Sequence, residues 1–143
     1  GATAQHRDAT THGRPMFLML AARDDYTPAE LAVEYAYRMR TAGNERIKVK
    51  VYGAAHHGWE SIGPVFDIKD AENWSCCRNF IEDDGRHFVP SLGLSLSEPE
   101  FQAWARLHCV TRGARAGGGT VALKQRASAD FIDFLRVHGF ADR

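Results

Sequence analysis

The chain has 143 residues, enough for one domain with a modest core and small for two. Eighteen Lys and Arg balance eighteen Asp and Glu, so the basic surface that nucleic acid or an anionic membrane would need is not expected. With 44% hydrophobic and 25% charged residues the chain reads as globular, and no apolar stretch approaches the roughly 20 residues that span a bilayer.

Residues 1–14 are polar and lack periodicity, and are expected as a lead-in loop. Gly1 in place of Met fits a processing site, a cloning boundary or a proteolytic cut, and no secretory signal pattern follows it. Residues 15–143 read as a single α/β domain. Pro15–Ala21 is a continuous apolar run whose length favours a strand buried on both faces. After a polar loop, Thr27, Pro28 and Glu30 suit the N-cap, first turn and capping box of a helix. Leu31, Tyr35, Met39 and Ala42 line one face of that helix, and Gly43 suits its end.

Ile47–Tyr52 alternates apolar and basic residues, as a strand with one covered face and lysine-protected flanks does. Strand, helix and strand in this order predict a parallel βαβ unit. A loop-rich insertion is expected over about 60–119. Within it Asn79–Glu82 and Arg86–Val89 flank Asp83-Asp84-Gly85 as a hairpin. Ser97 and Glu100 frame a second capping box, opening a helix with Phe101, Trp104, Ala105 and His108 on one face. Residues 112–119 are glycine-rich and read as a connector. A terminal helix follows from about Val121 to His138, with Ala127, Phe131, Phe134 and Leu135 inward and Gly139 as its stop.

Asp24 and His57 lie just beyond the carboxyl ends of the two parallel strands, where sites form in open α/β sheets. Adjacent strands lie about 4.8 Å apart, so the two loops can bring these side chains into hydrogen-bonding reach. An acid orienting a base is two thirds of a nucleophile–base–acid triad. The simpler readings are a turn aspartate and a hydrogen-bonded structural histidine. Asp25 reads as a solvated neighbour and His56 as a packing residue. His56, His57, Asp67, Asp70 and His87 offer zinc-type ligands, but adjacent histidines do not share one face of a strand and no paired spacing recurs. No metal or cofactor is therefore assigned. Cys76, Cys77 and Cys109 are too few for a disulfide scaffold and leave room for one bridge and a spare thiol, or for three reduced thiols in the cytoplasm. Trp59, Trp74 and Trp104 read as packing aromatics, with Trp59 close enough to the base to line a pocket.

In these residues the chain resembles the C-terminal part of dienelactone hydrolase-like proteins. The acid of that family stands in a Gly-x-x-Asp-x-x-x-Pro pattern, matched by Asp24 and Pro28 with Ala21 replacing the glycine. The base stands in Ala-x-His-x-Phe, matched by Ala55 and His57 with Trp59 replacing the phenylalanine. The resemblance implies the C-terminal portion of an α/β-hydrolase fold. It also implies ester or lactone hydrolysis by a Cys or Ser nucleophile, with Asp24 and His57 as catalytic residues. No Gly-x-Cys-x-Gly or Gly-x-Ser-x-Gly elbow occurs in the chain, so the nucleophile is expected from a missing N-terminal segment or a second chain. Residues 73–78, Asp84-Gly85 and 109–114 resemble a subgroup with an insertion before the last helix. That subgroup implies a Cys77–Cys109 disulfide, with Cys76 free, and hence a periplasmic or secreted protein. The alternative function is a non-catalytic α/β module. An unpaired sheet edge would then bind a partner chain or form a homodimer.

Overall fold

The computed structural model describes residues 4–9 and 13–140 and runs β1 (Ala4–His6), β2 (Met16–Ala21), α1 (Ala29–Thr41), β3 (Ile47–Tyr52), β4 (Val65–Asn73), β5 (Asn79–Ile81), β6 (His87–Val89), β7 (Leu94–Leu96), α2 (Glu98–His108), β8 (Thr111–Gly117) and α3 (Val121–Val137). The fold is mixed α/β. Its strands form a β1-β5-β6-β7 sheet, a β2-β3 pair and a β4-β8 pair.

The expected βαβ unit is present: β2 and β3 pair in parallel from Met16↔Ile47 to Ala21↔Tyr52, with α1 between them. Alternation along each strand assigns the faces. Leu18, Ile47 and Val49 meet Ala36 and Met39 of α1. Ala21 and Tyr52 meet Leu123 and Ala127 of α3, and Phe17 stacks on Phe134 at 5.3 Å between ring centroids. Helices thus cover both faces, while the edge of β2 away from β3 has no strand partner among the described residues. Met16–Leu20 are consequently half-buried rather than buried on both faces as the apolar run predicts. The same narrowness leaves Phe131, expected inward, 46% exposed: a two-stranded sheet cannot cover the whole apolar stripe of α3.

Residues 4–6 correct the expected lead-in loop, because β1 pairs in parallel with β5. The side-chain amide of Gln5, buried, donates to the Leu31 carbonyl at 2.7 Å and ties this strand to α1. The region 60–119 is not loop-rich. It holds the predicted β5–β6 hairpin, the Ser97–Glu100 capping box on α2, and an antiparallel β4–β8 ribbon over the residues read as a connector. Both faces of β4 are largely solvated, so its sequence carries no apolar alternation. The small residues of β8 permit close packing rather than marking a loop.

The region between β4 and β8 carries its own core of Cys77, Val89, Phe101 and Ala105, flanked by Trp74 and Trp104. His108, expected on that face, is exposed in the last turn of α2, beyond this small core. Cys77 and Cys109 lie at disulfide distance with Cα atoms 5.2 Å apart, and Cys76 is exposed and free. No helix among the described residues is long and apolar enough to cross a membrane.

Closing a 32-residue separation, the Cys77–Cys109 bond should contribute roughly 3–4 kcal/mol. Replacing both cysteines by alanine should lower the urea midpoint accordingly, and intact mass should rise by two hydrogens on reduction of the parent chain. An unchanged mass would show that the bond does not form. Tyr52 provides a second check. Its hydroxyl donates to Asp130 Oδ2 at 2.9 Å, and burial, reinforced by that carboxylate, raises its pKa far above the ordinary tyrosine value. The folded state therefore holds this proton more tightly than the unfolded chain does. The stabilisation is complete below about pH 10 and is lost as pH rises further. Tyr52→Phe should remove that alkaline loss while costing about 1 kcal/mol at neutral pH, measured by denaturant titration at several pH values.

Candidate active site

Beyond the last paired residues of the parallel strands the chains continue side by side. Ala22 N–H donates to the Tyr52 carbonyl at 3.0 Å and Arg23 N–H to the Ala55 carbonyl at 2.9 Å. This extension of the ladder sets the loop after β2 against the loop after β3. It brings Asp24 Oδ2 to 3.1 Å from His57 Nδ1, the contact that the strand-end positions predict.

Asp24 is both a turn aspartate and the partner of His57. Its Oδ1 accepts the N–H groups of Tyr26 at 3.0 Å and Thr27 at 2.7 Å, the pattern by which aspartate closes a turn on its own backbone. Its Oδ2 accepts the Thr27 hydroxyl at 2.7 Å as well as His57. Thr27 is therefore not a helix cap. Pro28 holds the N-cap position of α1 and, as a proline, has no side-chain acceptor with which to cap it.

The bond from the Thr27 hydroxyl to Asp24 fixes the histidine. Thr27 Oγ1 also lies 3.3 Å from His57 Nδ1, and its one proton already goes to Asp24. Both neighbours of Nδ1 are then acceptors, so Nδ1 carries a hydrogen, and in the neutral ring the lone pair is on Nε2. The His57 side chain is 37% exposed against 9% for Asp24, so a buried acid orients an accessible base. Nε2 has no hydrogen-bond partner among the described residues. Tyr26 packs edge-on against the imidazole at 4.9 Å between centroids.

Asp25 and His56 stand apart from this pair. Asp25 is exposed but not merely solvated, since its Oδ1 accepts Arg115 N–H from β8 at 2.9 Å. His56 is 8% exposed, and its Nδ1 has no partner among the described residues. Both side chains line a cleft with Arg23, Phe66, Asp67 and Arg115. Asp70 and His87 lie elsewhere: His87 is stacked on Phe101 at 4.4 Å and bonded to Asn79 and Glu98 in the region between β4 and β8. Among the described residues no three or more His, Cys, Asp or Glu side chains gather where they could hold a metal ion. Trp59 packs on Tyr52 at 4.9 Å, Trp74 and Trp104 on Phe101.

Sequence reasoning missed Thr27, whose signal was present in the Asp-x-x-Thr spacing, and the whole contribution of the ribbon. Gly117 N–H donates to the His57 carbonyl at 2.8 Å. A Cβ at Gly119 would lie 2.1 Å from the Trp59 carbonyl oxygen, so only glycine permits β8 to run on past the histidine loop.

The two members of the pair should differ in their value to stability. Asp24→Ala strands two backbone donors and a hydroxyl in a partly buried turn and should cost about 2–3 kcal/mol. His57→Ala removes a partly exposed ring and should cost less than about 1 kcal/mol. Equilibrium urea unfolding of the two variants distinguishes these values, and equal losses would make the histidine a structural residue. Searches of protein-family models, curated proteins and solved structures find no match to this chain.

Proposed function

We propose that this chain is the acid–base portion of an ester or lactone hydrolase of the dienelactone hydrolase-like type, with the C-terminal part of an α/β-hydrolase fold. The observation that carries the reading is the His57 ring. Its Nδ1 is held by Asp24 Oδ2 at 3.1 Å, beside a threonine whose proton is already used, and Nε2 has no hydrogen-bond partner among the described residues. In turnover Nε2 takes the proton of a serine or cysteine nucleophile and returns it to the leaving group. Asp24 keeps the ring in the required tautomer and stabilises its protonated form. The substrate is a small-molecule ester or lactone, and the chemistry needs no cofactor.

The nucleophile comes from outside this chain, on an N-terminal segment or a second chain. The free edge of β2 is the natural place for it, since a strand added there would end on the same side of the sheet as Asp24 and His57. The Cys77–Cys109 pair favours a periplasmic or secreted setting. The same open, half-buried β2 edge supports the second reading, a non-catalytic module that pairs with a partner or with another copy of itself.

The reading frame upstream of Gly1 should encode a Gly-x-Ser-x-Gly or Gly-x-Cys-x-Gly elbow, and the polypeptide extended to include it should hydrolyse an activated aryl ester. In that protein Asp24→Ala and His57→Ala should each lower kcat by about 10⁴-fold or more. An upstream sequence without an elbow would remove the support for the hydrolase. Rapid hydrolysis by the 143-residue chain alone, abolished by His57→Ala, would place the nucleophile within the chain instead.

A further inference from the structure

We infer that Asn73 is a positioning residue: its buried amide holds the acid-bearing loop to β8, the same strand that holds the histidine loop. Asn73 ends β4 and is 6% exposed. Its Nδ2 donates to the Asp25 carbonyl and to the Gly113 carbonyl, each at 2.9 Å, and its Oδ1 accepts Ser75 N–H at 3.0 Å. Both amide hydrogens are thus used, one on the carbonyl of Asp25, the residue after Asp24, and one on β8.

Two residues further along β8, Arg115 N–H takes Asp25 Oδ1 at 2.9 Å, a second grip on the same loop. Two residues beyond that, Gly117 N–H takes the His57 carbonyl at 2.8 Å, and Ala116 bridges to His57 in parallel. Acid and base are each tied to one strand within the span from Gly113 to Gly117. That strand adds a shared anchor to the direct ladder contacts of Ala22 and Arg23, and together they set how closely Asp24 approaches His57. At the opposite end of the ribbon, beyond the Asn73↔Thr111 pair, Cys77 and Cys109 close its base.

The importance of this clamp for turnover rests on the hydrolase reading. The geometry it imposes does not, and it is read directly from the ring nitrogens of His57. Nitrogen-15 spectra of the 143-residue chain, recorded where imidazoles are neutral, should show the hydrogen of His57 on Nδ1. Asn73→Asp keeps the side-chain size and an oxygen for Ser75 N–H but removes both donors. It should leave the circular dichroism spectrum unchanged while mixing the two His57 tautomers. Asp25→Ala, at an exposed position, should shift the same signals in the same direction. Asp25→Asn, which retains an oxygen for Arg115 N–H, should restore the parent spectrum.

A folded Asn73→Asp chain with the parent His57 spectrum would overturn the inference. So would a parent chain without the Nδ1–H signature. Should Asn73→Asp not fold, Asn73→Ser, which also removes both amide donors without adding a charge, decides: an unperturbed His57 spectrum in that folded variant overturns the inference and a shift supports it, while Asp25→Ala tests the Arg115 grip alone. Loss of fold stability alone would leave the tautomer of the folded molecules untouched, which separates positioning from a general structural role. Absence of ester hydrolysis in the extended polypeptide would refute the hydrolase and leave these spectra as they are.

Discussion

A carboxylate removed from water needs donors in proportion to its lost hydration, and Asp24 collects four. Two backbone N–H groups, the Thr27 hydroxyl and His57 Nδ1 converge on two oxygens of a side chain that is 9% exposed. This requirement shapes the surrounding chain. It closes the turn between β2 and α1 and takes the Thr27 hydroxyl proton. It also leaves His57 only acceptors at Nδ1. The stabilising role of the aspartate and its proposed chemical role are therefore the same set of hydrogen bonds. A carboxylate that was only a turn residue would not need the histidine, and one that was only an orienting acid would not need Tyr26 and Thr27.

The second organising constraint is distance between segments far apart in sequence. β8 lies against the histidine loop so closely that glycine is required where it passes. A Cβ at Gly117 would lie 2.4 Å from the Pro64 carbonyl oxygen, and one at Gly119 would meet both Trp59 and Ser61. The region between β4 and β8 is thus more than an appendage with a separate core. Its disulfide and aromatic cluster lie at one end of the ribbon, next to the Asn73 grip on the acid-bearing loop, and Gly117 at the other end holds the histidine loop.

Local pattern made much of this legible. The βαβ unit followed from an apolar run, a capped amphipathic stretch and an alternating run, because helix and strand periods are set by neighbouring residues. The hairpin at Asp84-Gly85 and the Ser97–Glu100 box were readable for the same reason: a positive-φ glycine and a reciprocal cap are each contained within a few residues. The ribbon was not. β4 is solvated on both faces and carries no alternation, and Gly117 and Gly119, which locally suggest a connector, are there because the chain passes close to Pro64 and to Trp59 and Ser61.

The proximity of Asp24 and His57 lies between these cases. Strand order predicted that their loops would be neighbours, since consecutive parallel strands place their carboxyl ends side by side. The sequence by itself thus determined the elements and the end of the sheet on which the pair sits. Only the tertiary structure decided that the Thr27 hydroxyl goes to Asp24, that Asp25 is held rather than solvated, and that Asn73 and β8 tie both loops together. Those outcomes depend on donors and acceptors separated by up to 90 positions, whose competition for one another no local window contains.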